Sequence, residues 1–171
     1  MSTRFSIRDL ALQPGQHLSE ELQVVLQPYR QAGFDYRANG GEVAAALDVT
    51  AMNDGMSLRL RFDAELLGPC ARCLEDAAAS LRIDSFEIHE PRAGDPELVS
   101  DFVSDDHVDL SLWATDAIGL EFPWRVLCRD DCKGLCPQCG ANRNETACDC
   151  VEPIGDPRWD KLRDLRLDVE E

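Results

Sequence analysis

The 171-residue sequence has little positive charge, few aromatic residues and no long apolar run. Its first twenty residues contain no unbroken apolar stretch of signal-peptide length, and no later segment approaches the ~20 apolar residues of a membrane span. We therefore expect a cytoplasmic protein without a membrane partner. The 17 Lys and Arg stand against 33 Asp and Glu, and the net charge of -16 disfavours a broad electrostatic grip on nucleic acid.

The sequence also lacks a catalytic motif. Its three histidines, His17, His89 and His107, are scattered along the chain. We find no phosphate-binding loop, no nucleophile elbow and no spaced set of carboxylates with histidine. We therefore expect a protein that is not an enzyme and has no catalytic residues.

Cysteine is the residue type in which the chain is rich. Eight cysteines occur in close pairs, and five of them fall within residues 132–150, CKGLCPQCGANRNETACDC. A chain of this length can bury a core without covalent help, and a reducing cytosol keeps thiols open. Closely paired cysteines then favour thiolate ligation of a metal over a disulfide framework.

Residues 136–140, CPQCG, have the form of a zinc knuckle. In this turn backbone amides donate to the sulfurs, and the glycine after the second cysteine supplies a conformation that other residues avoid. A closed structural zinc site needs four thiolates and leaves no open position for water. The nearest second pair follows eight residues later, which predicts one site made of Cys136, Cys139, Cys148 and Cys150.

Two cysteine pairs remain, Cys70 and Cys73 in GPCARCLE and Cys128 with Cys132. We expect these four to share a second metal, which would pin the C-terminal segment to the sheet. One or two structural zinc ions are thus expected, and two would bring the net charge to about -20. An ordinary reduced pair in a turn stays open as the alternative for Cys70 and Cys73. A redox dithiol fits less well, because such pairs sit at a helix N-terminus.

Alternation of apolar and polar residues dominates residues 42–90 and predicts strands over EVAAALDVTA, MSLRLRFDAEL and SLRIDSFEIHE. The turn residues 53–55, Asn-Asp-Gly, predict that the first two strands form an antiparallel hairpin. We expect Arg59 and Arg61 on the solvated face of the sheet, with a nucleic-acid face as the alternative. The apolar positions expected on one face of the second strand are Leu58, Leu60, Phe62 and Ala64.

Residues 109–119 predict an amphipathic helix packed on the sheet, with Asp109 or Ser111 as N-cap. Trp113 is expected in the core. Near the C-terminus, Asp156 and Pro157 have the form of a helix start, which predicts a short final helix. Residues 10–40 give no clear assignment.

These patterns together predict an α+β fold, an antiparallel β-meander sheet with a packed amphipathic helix and a cysteine-rich zinc-binding tail. The expected domains are an α+β core over 1–127, a zinc-binding segment over 128–151 and a C-terminal helix over 152–171. Between strands and helix, residues 84–109 hold nine acidic residues against one basic residue, Arg92. We interpret this stretch as a surface loop, with a face for a basic partner as the alternative.

The order of GPCARCLE, the helix DLSLWATDAIGLEFPW and CRDDCKGLCPQCGANRNETACDC resembles the YceD family, the large ribosomal RNA subunit accumulation proteins of bacteria and plastids. The resemblance covers roughly residues 40–150. It implies a non-enzymatic role in accumulation or processing of 23S rRNA, hence in large-subunit assembly, with contact to 23S rRNA or a precursor large subunit.

Contact of so acidic a protein with RNA should be local. The candidate residues for phosphate contact lie on or beside the cysteine-rich segment, and they are Arg125, Arg129, Lys133 and Arg143. Two other functions stay open. The first is an acidic chaperone that binds a basic ribosomal protein through residues 84–109. The second is a thiol- or zinc-responsive regulator.

Overall fold

The computed structural model describes residues 2–8 and 10–150, in two compact units divided between Cys132 and Lys133. The predicted C-terminal helix over 152–171 lies outside the described residues. Within them, no helix is long and apolar enough to cross a membrane. The predicted fold class is confirmed, since the regular structure of the described chain is mostly antiparallel sheet with one α-helix.

The regular elements all lie in the first unit. The strands are β1 (Arg4–Ser6), β2 (His17–Val25), β3 (Tyr29–Gln31), β4 (Phe34–Ala38), β5 (Glu42–Ala51), β6 (Met56–Pro69), β7 (Asp76–His89), β8 (Val103–Ser104) and β9 (His107–Asp109), and the helix is α1 (Leu110–Glu121). Short 3₁₀ turns occur at Asn39–Gly41 and Pro96–Leu98.

The larger sheet has six strands, and β6 is its centre. The hairpin of β5 and β6 forms as predicted, with the Met52 amide donating to the Gly55 carbonyl at 2.9 Å across the turn. One edge of β6 pairs along its whole length with β7. Its other edge pairs first with β5 and then with β4, while β2 pairs with β5. The predicted meander is thus β5–β6–β7, with three earlier strands added around it.

The core lies on one face of this sheet. Strand β6 alternates between buried and exposed positions, and its buried side chains include the four predicted ones. Helix α1 packs against β7, where the indole nitrogen of Trp113 donates to Ser85 Oγ at 2.9 Å. Asp109 is the N-cap, its carboxylate accepting from the Leu112 amide at 3.0 Å. The buried residues of the helix are Leu110, Ser111, Trp113, Ala114, Ala117 and Ile118.

The solvated face carries paired charges. Arg59 donates two hydrogen bonds to Asp84, at 2.7 and 2.6 Å, and Arg61 donates to Asp48 at 2.7 Å. Exposed pairs of this kind add little stability, but they occupy the guanidinium groups. The structure therefore supports the solvated-face interpretation of Arg59 and Arg61, because their charge is already neutralised by neighbouring strands.

The structure defines two further features of the first unit. Residues 10–40, left unassigned, contain β2, β3 and β4. Phe86 of β7 is 58% exposed, on the face opposite Ile83, because the pairing of β6 with β7 runs without a bulge and keeps the strand's period of two. Beyond β7, residues 90–102 form a loop, and the small sheet of β1, β9 and β8 leads into α1.

One face of the sheet is buried and the other is solvated. Truncating a side chain should therefore lower the free energy of unfolding by different amounts on the two faces. Leu60, with no exposed surface at the centre of β6, is the core position. Leu60→Ala should lower the free energy of unfolding by about 2–5 kcal/mol, because it removes apolar contacts and leaves a cavity. Phe86→Ala is the control on the solvated face and should cost less than about 1 kcal/mol. Guanidinium denaturation of both variants measures this, and equal losses would contradict the assignment.

Candidate metal centre

The first unit brings together four cysteines from two distant stretches of the chain. Cys70 and Cys73 lie where β6 turns into β7, while Cys128 and Cys132 follow α1. Their four sulfur atoms lie within 4.8 Å of one another. We call these four residues the first tetrad. The convergence is the one expected from the sequence.

The sulfur spacing in the first tetrad suits a metal and excludes disulfides. Cys70 Sγ lies 3.8 Å from Cys132 Sγ, and Cys73 Sγ lies 3.5 Å from Cys128 Sγ. A disulfide requires about 2.05 Å, so the thiols are free. A tetrahedron of sulfurs about 2.3 Å from a central ion has edges of about 3.8 Å. The tetrad can therefore hold a metal ion with little rearrangement.

Backbone and side-chain contacts tie the two halves of the first tetrad together. The Ala71 amide donates to the Val126 carbonyl at 2.8 Å. The Arg72 guanidinium donates to the Cys132 carbonyl at 2.7 Å. Arg72 was not singled out from the sequence, although its place inside C-x2-C was a signal for it. The loop after α1 is thus held to the hairpin by hydrogen bonds as well as by the sulfurs.

The thiols of the first tetrad do not ionise alike. Burial raises the pKa of Cys70, but amide donation from Arg72, Cys73 and Cys128 outweighs it and brings the pKa to about 6. The hydrogen bond with Cys73, followed by burial, raises the pKa of Cys128 to about 12. Cys70 therefore ionises more readily than Cys128, and a divalent ion held by all four thiolates would displace the remaining protons. Metal binding is accordingly favoured by higher pH.

The second unit holds the other four cysteines, Cys136, Cys139, Cys148 and Cys150, whose sulfurs also lie within 4.8 Å of one another. We call these the second tetrad. It is more open than the first, since only Cys136 is buried. A bridge between Leu135 and Asn142 closes the turn.

Ionisation of the second tetrad repeats the pattern of the first. Amide donation from Cys139 and Gln138 lowers the pKa of Cys136 to about 6. The hydrogen bond with Cys139, followed by burial, raises the pKa of Cys150 to about 12. In each tetrad the pKa of the leading cysteine is lowered, because its sulfur receives at least two backbone amides.

The two C-x2-C turns have the same backbone hydrogen bonds. The Leu74 amide donates to the Cys70 carbonyl at 3.0 Å, and the Gly140 amide donates to the Cys136 carbonyl at 2.9 Å. Both fifth residues are in the left-handed region, with φ of 66° at Leu74 and 73° at Gly140. The glycine was expected there. The leucine was not, because β-carbon contacts make this region costly by about 1–2 kcal/mol.

The four candidate residues for phosphate contact are divided between the units. In the first unit, the Arg125 guanidinium lies over the Trp124 ring, and Arg129 Nε pairs with an Asp131 carboxylate oxygen at 3.1 Å. In the second, the Lys133 amide donates to Asn144 Oδ1 at 2.8 Å. The Arg143 amide donates to the Gly134 carbonyl at 2.9 Å. All four side chains are exposed.

Comparison with known proteins places these cysteines in a family context. The family model described as large ribosomal RNA subunit accumulation protein YceD matches residues 58–166, a range that includes both tetrads. An uncharacterised protein of Mycobacterium bovis is 35% identical over 124 residues, which is 70% of this chain and 59% of that relative. The chain therefore spans well under two thirds of that relative's length.

Two further relatives extend the comparison. An uncharacterised protein of Mycobacterium leprae is 25% identical over 173 residues, covering 94% of this chain and 76% of the relative. The chloroplastic large ribosomal RNA subunit accumulation protein YCED homolog 1 of Arabidopsis thaliana is 34% identical over 64 residues, covering 37% of this chain and 20% of the relative. No solved structure matches the chain significantly. Because the family model spans more than half of the sequence and both cysteine tetrads, the chain belongs to the YceD family.

Proposed function

We propose that both tetrads hold structural zinc. The observation that carries this proposal is the approach of four sulfurs to within 4.8 Å in each tetrad, without any histidine or carboxylate in either set. Four-thiolate sites are typical of zinc that orders a fold, because no position is left for a reacting water. Zinc in the first tetrad would lock the loop after α1 onto the hairpin, and zinc in the second would order residues 136–150.

We propose that the protein acts in the cytoplasm as a non-enzymatic factor for accumulation of large-subunit ribosomal RNA. The family description and the name of the Arabidopsis thaliana relative support this role. Its partner would be 23S rRNA or a precursor large subunit. Arg125, Arg129, Lys133 and Arg143 lie beside the tetrads, where zinc would hold their backbone in place for phosphate contact.

A basic ribosomal protein is the second candidate partner. The chain after β7 exposes several carboxylates among few apolar side chains, namely Asp95, Glu97 and Asp101 in the loop and Asp105 in the turn between β8 and β9. Such a surface attracts a basic protein by long-range electrostatics, which salt weakens. An experiment that distinguishes binding to RNA from binding to a basic protein is therefore needed to identify the partner.

Metal content tests the zinc proposal. The purified protein should contain two zinc ions per chain by elemental analysis. Cys73→Ser and Cys139→Ser should each lose one, because affinity falls sharply when a four-thiolate site loses a ligand. Each variant is the control for the other, and the double variant should lose both. Full reaction of all eight thiols in the native protein would contradict the proposal and favour a thiol-responsive regulator.

Backbone strain at the turn provides a graded test of the second site. Gly140→Ala should weaken zinc binding there by about tenfold, because alanine resists the left-handed conformation by about 1–2 kcal/mol. A β-carbon at this position would meet nothing within 4 Å, so the effect would come from the backbone alone. Competition with a chromophoric chelator measures it. Leu74→Gly is the opposite control, and it should not weaken binding at the first site.

Sedimentation with precursor ribosomal particles tests the proposed partner. The protein should sediment with large-subunit precursors and be released by RNase. Arg129→Gln with Lys133→Gln should weaken RNA binding and flatten its dependence on salt, because fewer phosphates are neutralised. The paired variant Arg59→Gln with Arg61→Gln is the control, because these arginines lie on strand β6 of the sheet and not beside the cysteine-rich segment. Retention on one basic ribosomal protein after RNase treatment would instead support the second partner.

A further inference from the structure

Trp124 is the most exposed aromatic side chain of the described residues, with 74% of its surface accessible. It stands between α1 and Cys128, in the segment of residues 122–126. Large aromatic residues are usually well buried in folded proteins. The exposure of Trp124 therefore needs an explanation. A mobile backbone does not provide one, because the segment is anchored at both ends.

Both ends of this segment are anchored in the core. The ring of Phe122 lies 4.7 Å from that of Tyr29 and 4.9 Å from that of Tyr36, between centroids. Val126 is buried, and its carbonyl accepts the hydrogen bond from Ala71 in the C-x2-C turn of the first tetrad. Pro123 restricts the backbone between the anchors. The exposed indole is thus presented on an ordered backbone.

Arg125 lies against the indole. Its guanidinium carbon is 3.8 Å from the centroid of the Trp124 ring, the geometry of a cation–π contact. Within the described part of the chain, no carboxylate forms an ion pair with Arg125, in contrast to Arg59 and Arg61 of the sheet. Arg125 covers one face of the ring. The high exposure of Trp124 means that the opposite face is open to solvent.

We propose that Trp124 and Arg125 form a stacking site for one unpaired base of RNA. The base would stack on the open face of the indole, and the guanidinium would donate to the adjacent phosphate. The inference rests on the proposed RNA contact and names the part of the RNA that is recognised. Base stacking on aromatic side chains tolerates any base, because every base has a π-face.

This mode of binding suits a protein with a net charge of -16. Phosphate neutralisation by many basic residues is unavailable to it, whereas stacking gains affinity without net positive charge. A base paired within a helix has no free face, so the site would select single-stranded loops, bulges or ends. Ordering costs would be low because the segment is already anchored at both ends.

A protein interface is the competing explanation for the exposure of Trp124. A neighbouring residue distinguishes a protein interface from a base-stacking site. Leu120 lies four positions before Trp124 and is 80% exposed. It would contribute apolar area to a protein interface, but it has no ring on which a base could stack. Loss of Leu120 should therefore matter for a protein partner and not for an unpaired base.

The test is fluorescence anisotropy with a labelled RNA of about ten nucleotides that cannot form internal pairs. The full-length zinc-loaded protein is used. Trp124→Ala should weaken binding by about tenfold or more, and Trp124→Phe should stay within about threefold of the wild type. Phe86→Ala and Leu120→Ala, which remove other exposed apolar side chains, should bind like the wild type. Zinc content verifies that every variant is folded at the tetrads.

Salt dependence gives a readout that a general loss of structure would not produce. Trp124→Ala should lower affinity at every salt concentration without changing the slope, because tryptophan neutralises no phosphate. Arg125→Gln should lower the affinity and also flatten the slope. A duplex of the same length should bind weakly and be insensitive to Trp124→Ala.

The outcomes also separate this inference from the proposed function. Wild-type affinity in Trp124→Ala, with RNA binding otherwise intact, would overturn the stacking site alone. Failure of the wild type to bind any RNA would overturn both. If Leu120→Ala and Trp124→Ala both disrupt binding to a ribosomal protein in the absence of RNA, the surface is a protein interface and the inference is wrong.

Discussion

Four sulfur atoms converge in the first unit, two from the end of the hairpin and two from the loop after α1. The relative positions of the hairpin and the helix depend on this convergence. An ion bound about 2.3 Å from each sulfur would tolerate little displacement of either element. The hairpin end is placed by continuous pairing of β6 with β7, from Met56 opposite His89 to Pro69 opposite Asp76. The loop is placed by α1, whose Trp113 is buried against β7. The geometry of the four thiols therefore depends on both the register of the sheet and the packing of the helix.

The two tetrads use one local turn in two different contexts. In the second tetrad all four cysteines fall within residues 136–150, so a short loop brings the sulfurs together and a glycine supplies the left-handed residue. In the first tetrad the same position is held by Leu74, despite the cost of its β-carbon there. Strained residues of this kind persist when the surrounding structure determines their conformation. The hydrogen bonds to Val126 and Cys132 provide such surroundings for the first turn.

Most of the charged surface does not attract an anionic partner, because it is either acidic or made of arginines paired with carboxylates. Arginines on the sheet face are paired with carboxylates of neighbouring strands, and the loop after β7 is acidic. Arg125, near the first tetrad, is an exception, because its guanidinium is stacked on a ring and not paired with an acid. An acidic protein with one small contact surface would approach RNA only where that surface fits. Under the proposed function, specificity would come from this restriction more than from overall attraction.

Much of the fold and of the candidate metal centre was determined by the sequence, because the signals concerned are local. The period of two over residues 42–90, the capped helix from Leu110 and the turn CPQCG each depend on residues within a few positions of one another. Strands β2–β4 escaped prediction because they depend on distant partners. Strand β2 buries only Val24 and is stabilised by pairing with β5.

Counting cysteine pairs suggested which four thiols belong together, but only the tertiary structure brought Cys70 and Cys73 to Cys128 and Cys132. It also decided that Trp124 is exposed, whereas the burial of Trp113 was expected from the helix pattern. Exposure depends on which elements pack over a side chain, and that packing is a property of the whole fold.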